Sequence, residues 1–335
     1  MTILIQGMRR SGTTILYDAM LEDPELRCFY EPLRENTETP GGGSDARQTD
    51  PFAETKALRE AYAAARWPDL AIEEFNWGGP REGALEVGPE LPEHCTGFIA
   101  DLLGRGDGRE VLIKETRFYD KLERIAPLAP DAVFVHVVRD PRAVAASMMM
   151  GRGRKRAADY ERPDAFFAEA GRRKLWSSRE ISEALLERPE YSRIRKPPNF
   201  LRILMVWKHT FESTFRDARR LYGERYVLLR NEELRADPVA AIARVYETAG
   251  RPTPAAVAEW ARGKVKPPEV PFAANDPRWA EAFARLDMRQ ALADAGYPAL
   301  AEGVPATDGG SDSAPGRSGL LGRARSRLRS NRSAM

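Results

Sequence analysis

Short apolar blocks alternate with longer amphipathic stretches along the chain, at the spacing of strands joined by helices. Ile3 to Gln6 read as a buried strand, Gly7 to Gly12 as a glycine-bounded turn, and Thr13 to Leu21 as a helix with Ile15, Leu16, Ala19 and Met20 on one face. Leu26 to Tyr30, Glu110 to Lys114, Ala132 to Val138 and Tyr226 to Leu229 are the further predicted strands. The block from Ala132 is almost wholly apolar, as a strand covered on both faces should be. Helical patterns run over Phe52 to Arg66, Leu91 to Leu103 and Phe200 to Leu221, and Asp237-Pro238 opens another helix that reaches Ala249. This alternation predicts an α/β fold of three layers, a central parallel sheet of about five strands flanked by helices.

Two segments break the pattern and read as insertions, 36–90 and 151–200. Residues 36–50 are polar and glycine-rich, the signature of a mobile loop. The second segment starts with the basic run Gly151 to Arg156 and then spreads Tyr160, Phe166, Phe167, Trp176 and Tyr191 among charges. It reads either as a lid or acceptor surface or as a helical pair packed by its own aromatics. After Glu302 the composition turns to Gly, Ser, Ala and Pro with arginines at 323, 325, 327, 329 and 332. The expected organisation is one domain over 1–300 and a disordered basic tail over 301–335, which suits weak contact with an anionic membrane surface.

The chain has 335 residues, 42% of them hydrophobic, enough for a full core. Lys plus Arg number 52 against 50 Asp plus Glu, a balance that does not suggest a nucleic-acid binder, so any basic site is local. Cys28 and Cys95 lack metal-ligand spacing, and no run of about 18 apolar residues occurs, so the expected setting is a reduced, cytoplasmic one without a structural metal.

Chemistry concentrates at the first turn. Gly7-x4-Gly12-Thr13-Thr14 has the spacing of a phosphate loop (P-loop), whose glycines let amide N–H groups converge on an anion at a helix N-terminus. The lysine of the nucleotidase version is replaced by Thr13, and positive charge sits inside the loop at Arg9 and Arg10. Such a loop suits a phosphate-bearing ligand held by arginine and amides, with no metal required. Arg139 ends the fourth strand, and Asp140 and Pro141 start a helix there, so Arg139 and the first turn of that helix meet the ligand edge of the sheet. Glu31, after the second strand, projects to the same edge, as does Glu115; His136 lies among valines as a core histidine would, and His209 lies in a long helix.

The loop Arg10-Ser-Gly-Thr-Thr14 and the run Arg139 to Ser147 together resemble the 3′-phosphoadenosine-5′-phosphosulfate-dependent sulfotransferases. Phe29 to Leu33, Val111 to Lys114 and Tyr226 to Pro238 extend the resemblance to about a third of the chain. It implies that Arg10, Ser11, Gly12, Thr13 and Thr14, with Arg9 beside them, surround the 5′-phosphosulfate, and that Arg139 and Ser147 bind the 3′-phosphate. The arginine loop followed by Glu31-Pro-Leu33 is closest to the carbohydrate branch, which implies a hydroxyl acceptor on a sugar or glycolipid and Glu31 as general base, with Arg10 acting on the leaving phosphate. Asn231 departs from the tyrosine of the family's Tyr-Glu-Asp triplet, and Arg262-Gly-Lys264 only loosely matches a late Arg-Lys-Gly. Competing readings are a P-loop kinase using ATP and a non-catalytic nucleotide-binding module. The missing loop lysine and the arginine before Asp140 count against the kinase.

Overall fold

The computed structural model describes residues 2–33, 51–70, 86–151, 163–171, 175 and 178–304. The expected loop over 36–50, the basic run after Gly151 and the arginine-rich tail lie outside the described residues. Residues Met1–Pro305 form one compact unit.

Five strands build one parallel sheet in the order β2-β3-β1-β4-β5: β1 Thr2–Gln6, β2 Leu26–Tyr30, β3 Glu110–Glu115, β4 Val133–Val138 and β5 Tyr226–Arg230. Register pairs Ile5 with Lys114 on one side and with Val135 on the other. Because all strands run the same way, Gly7, Glu31, Thr116, Arg139 and Asn231, each just beyond a strand end, line one edge of the sheet.

Both faces are covered. Helix α1 (Thr13–Met20) packs Leu16, Tyr17 and Met20 with Ile3, Ile5, Val133 and Val135. Two helices from the first insertion and its sequel, α2 (Pro51–Arg66) and α3 (Glu93–Leu103), join the opposite cluster around Leu4, Ile113 and Phe134. The short helix α4 (Leu122–Ile125) follows β3, and α5 (Pro141–Met150) follows β4. In the second insertion α6 (Pro163–Ala168) and α7 (Ser178–Leu186) lead to the 24-residue α8 (Asn199–Tyr222). Phe166 and Phe167 are buried against Phe200 and Trp279 and are core rather than acceptor surface, while Tyr160 and Trp176 lie outside the described residues.

Local chemistry starts and stops these helices. Asp140 caps α5, its carboxylate accepting from the Arg142 amide at 2.8 Å, and Pro141 supplies the fixed first residue. Asp237 caps α10 (Pro238–Thr248) in the same way through the Ala240 amide, after the short α9 (Asn231–Ala236). Removing such a cap costs about 1 kcal/mol. Gly223 ends α8 at φ 55, a left-handed conformation that glycine adopts without penalty.

Candidate active site

The loop between β1 and α1 is held close to its neighbours. A Cβ on Gly7 would lie 2.3 Å from the Val137 carbonyl oxygen, so only glycine fits there. The Ser11 amide donates to the Met8 carbonyl at 3.0 Å and closes the turn. Arg10 and Gly12 both take positive φ, 75 and 98, and these reversals carry the chain into α1 with its N-terminus at the sheet edge. Ser11 Oγ is buried without a hydrogen-bond partner among the described residues.

Arg10, Ser147 and Arg139 come together although they lie on three elements. Arg10 Nε donates to Ser147 Oγ at 2.9 Å, and Arg139 Nη1 donates to the Arg10 carbonyl at 3.3 Å. Trp207 on α8 fixes the strand end by donating from Nε1 to the Arg139 carbonyl at 2.9 Å. Thr14 Oγ1 lies 2.8 Å from the Tyr30 hydroxyl, which joins the loop to the end of β2. Asp140 does not offer its carboxylate to the site, because Arg142 binds it through Nε and Nη2.

Glu31 follows Tyr30 at φ 42, and its amide donates to the Lys114 carbonyl at 2.7 Å. The Lys114 ammonium, buried at the end of β3, donates to Glu31 Oε1 and sits 4.2 Å from the centre of the Tyr30 ring. Burial works against the charged lysine, but the charge and hydrogen bond of Glu31 outweigh it and leave the Lys114 pKa raised. Nothing in the sequence marks Lys114 as a site residue, because a lysine ending an apolar strand carries no sign of its partner.

The other candidate bases have local roles. Glu115 is fully buried and accepts from the Leu33 and Thr116 amides at 2.9 and 2.6 Å; burial pushes its carboxyl up, partly offset by Arg117. His136 is a core histidine, 3.0 Å from the Tyr226 hydroxyl and stacked on Phe211, and burial pushes it down to about 3. His209 pairs with Asp120, Nε2 to Oδ2 at 2.7 Å. Burial opposes the Asp120 charge, yet the hydrogen bond and charge of His209 bring that carboxyl down to about 2. Burial pushes the thiols of Cys28 and Cys95 up to about 12, out of reach of nucleophilic chemistry at neutral pH.

Arg9 points away from Arg10 and into a buried cluster. It grips Glu86 with both terminal nitrogens, at 3.2 and 2.9 Å, while Arg117 Nε and the Tyr119 hydroxyl complete the carboxylate at 3.2 and 2.7 Å. Glu86 is 1% exposed; burial resists its charge, and the two arginines overcome that and lower its pKa. Breaking such a buried pair costs about 3–5 kcal/mol. Glu86 was missed in the sequence because nothing in its neighbourhood marks it as a partner of residue 9.

A family model described as the Sulfotransferase family matches residues 2–188. The chain belongs to the sulfotransferase family. No curated protein matches it. Among solved structures, sulfotransferase STF9 from Mycobacterium avium is 16% identical, with a TM-score of 0.40 over 78% of this chain and 67% of the other. The sulfotransferase domain of the Synechococcus PCC 7002 olefin synthase is also 16% identical, with a TM-score of 0.40 over 77% of this chain and 76% of that one.

This sulfotransferase carries its departure from the Tyr-Glu-Asp triplet against the loop itself. A Cβ on Gly12 would fall 1.9 Å from Asn231 Nδ2. Arg235 donates from Nε to Asn231 Oδ1 at 2.9 Å, and since arginine only donates, the amide nitrogen must face Gly12. That nitrogen is buried without a partner among the described residues. Burial and the charge of Arg139 lower the Arg235 pKa. Glu232 accepts from the Asp140 amide at 3.0 Å and from the Tyr297 hydroxyl at 2.7 Å, so it braces the start of α5. Arg10, from the loop, and Arg139, just beyond β4, thus meet at one edge of the sulfotransferase sheet.

Proposed function

We propose that this sulfotransferase moves a sulfuryl group from 3′-phosphoadenosine-5′-phosphosulfate to a hydroxyl of a carbohydrate or glycoconjugate. The meeting of Arg10, Ser147 and Arg139 carries the reading, because two separated motifs that the resemblance gives to the 5′ and 3′ groups adjoin across the loop. The loop amides and Arg10 suit the 5′-phosphosulfate, and Arg139 with Ser147 suits the 3′-phosphate. No metal enters this reading.

In the transfer, the acceptor oxygen forms a bond to sulfur while the bond from sulfur to the phosphate oxygen breaks. The electron pair goes to the phosphate, and the hydroxyl proton leaves the acceptor. Donors aimed at that phosphate act where negative charge grows, and one such donor is typically worth about 3–4 kcal/mol. Glu31 is the proposed general base, with Lys114 as its ion-pair partner. An ion-paired carboxylate is a weaker base than a free one. Donor phosphate oxygens would compete for the Lys114 ammonium, and a Glu31 released from it is better suited to take the proton.

A second reading is favoured by the same contact: Glu31 only holds Lys114 charged, and the hydroxyl loses its proton elsewhere. A cytoplasmic setting is part of the proposal and agrees with two free thiols, Cys95 buried and Cys28 partly so. Among the described residues no helix is long and apolar enough to cross a membrane.

Calorimetry in chelator tests the donor. Adenosine 3′,5′-bisphosphate should bind much more tightly than adenosine 5′-phosphate, and equal affinity would remove the basis of the assignment. A single turnover on sugar acceptors, followed by a sulfate-sized mass increase, tests the acceptor class.

A further inference from the structure

We propose that Glu86 is the positioning residue of the donor loop, and that Arg9 serves as its handle on that loop rather than as a ligand of the donor. The inference rests on reading the loop as the donor site, and it reassigns one residue that the resemblance places among the donor contacts.

Arg9 and Arg10 are neighbours with opposite fates: the second reaches Ser147, the first turns to Glu86. Both carboxylate oxygens of Glu86 are used, Oε1 by Arg9 Nη2 and Arg117 Nε, Oε2 by Arg9 Nη1 and the Tyr119 hydroxyl. Its main-chain carbonyl accepts from Lys121 Nζ at 3.0 Å. A two-pronged grip fixes the plane of the guanidinium, so Arg9 cannot turn to a phosphate or sulfonate without giving up two hydrogen bonds at once.

The three helpers of Glu86, namely Arg117, Tyr119 and Lys121, all lie on the connection after β3. That connection is itself tied to the root of the loop, because the Phe118 amide donates to Gln6 Oε1 at 3.0 Å and Gln6 is the last residue of β1. Gln6 and Arg9 are therefore both clamped to one connection, with only Gly7 and Met8 between them. The clamp sets the path into the positive φ of Arg10 and aims the amides that follow. Donors held in place before the ligand arrives need no reorganisation when charge develops.

The test uses the full chain with Glu86→Gln, Arg9→Met and the double variant. Amide hydrogen exchange over residues 8–14, measured without nucleotide, should rise in Glu86→Gln while β1 keeps the parent's protection. Each single variant should raise the KM for 3′-phosphoadenosine-5′-phosphosulfate by roughly tenfold, with the acceptor KM within about twofold of the parent. A merely structural role would lower the melting temperature and leave that split untouched. The double variant should be no worse than either single one, since both break the same clamp. Arg9→Met losing as much again on the Glu86→Gln background would show that Arg9 touches the donor, and unchanged loop exchange in Glu86→Gln would equally overturn the proposal. If Glu86→Gln does not fold, Glu86→Asp keeps the charge but shortens the reach, and the same two readouts apply. Because the exchange measurement needs no nucleotide, a parent that fails to bind the donor would count against the functional reading and leave the clamp to be judged separately.

Discussion

Arg10 and Ser147, 137 residues apart in the chain, are joined by a 2.9 Å hydrogen bond from Nε to Oγ. The bond closes the phosphate loop against α5, whose first turn begins beside Arg139. Donor binding and the order of this corner are thus expected to be one event.

Arg139→Ala should weaken adenosine 3′,5′-bisphosphate binding by roughly 2–5 kcal/mol, the range for truncating one partner of a buried charge pair. Adenosine 5′-phosphate, which lacks the group Arg139 would read, should lose little. Calorimetry on both nucleotides decides it, and equal losses for the two would deny Arg139 its 3′ role.

Glu31→Gln keeps size and hydrogen bonding while removing basicity. Turnover should fall by roughly 10²–10⁴-fold, the usual general-base contribution, while donor affinity should not fall, because the Lys114 ammonium no longer has to be drawn from a carboxylate. Turnover within a few-fold of the parent would favour the ion-pair role, and Lys114→Met should then show the larger defect in single-turnover measurements.

Gly12→Ala meets two obstacles, φ 98 and an Asn231 nitrogen 1.9 Å from the new Cβ. The left-handed backbone alone costs about 1–2 kcal/mol with any other residue. Adding Asn231→Ala should relieve the collision and leave that backbone cost. Chemical denaturation of both variants checks this, and full recovery in the double variant would contradict the backbone part.

The Asp120 carboxyl, at about 2 in the fold, lies below its ordinary value of 3.8. A depressed acid stabilises the fold above the unfolded pKa, and that contribution disappears as pH falls from about 4 to about 2. The shift corresponds to about 2 kcal/mol near neutrality. Asp120→Asn should therefore be less stable than the parent at pH 5 to 8 and converge with it in acid. Denaturant midpoints across this range test the claim, and a pH-independent gap would refute it.

The sequence by itself determined the strands, the phosphate loop and the helix starts, because each is written in neighbouring residues. Period and apolar content mark Ile3 to Gln6 and Ala132 to Val138, glycine spacing marks the loop, and Asp140-Pro141 marks a cap. Packing decided the charge partners. Arg9 and Arg10 look alike in the sequence, yet one meets Glu86, 77 positions away, and the other Ser147. Lys114 and Glu31 meet across 83 positions because β2 and β3 are neighbours in the sheet. Asn231 faces Gly12 because β5 ends at the same edge as the loop. A charged side chain announces only that it needs a partner; which partner it finds depends on strand order and on which groups are buried together, and those are properties of the folded whole.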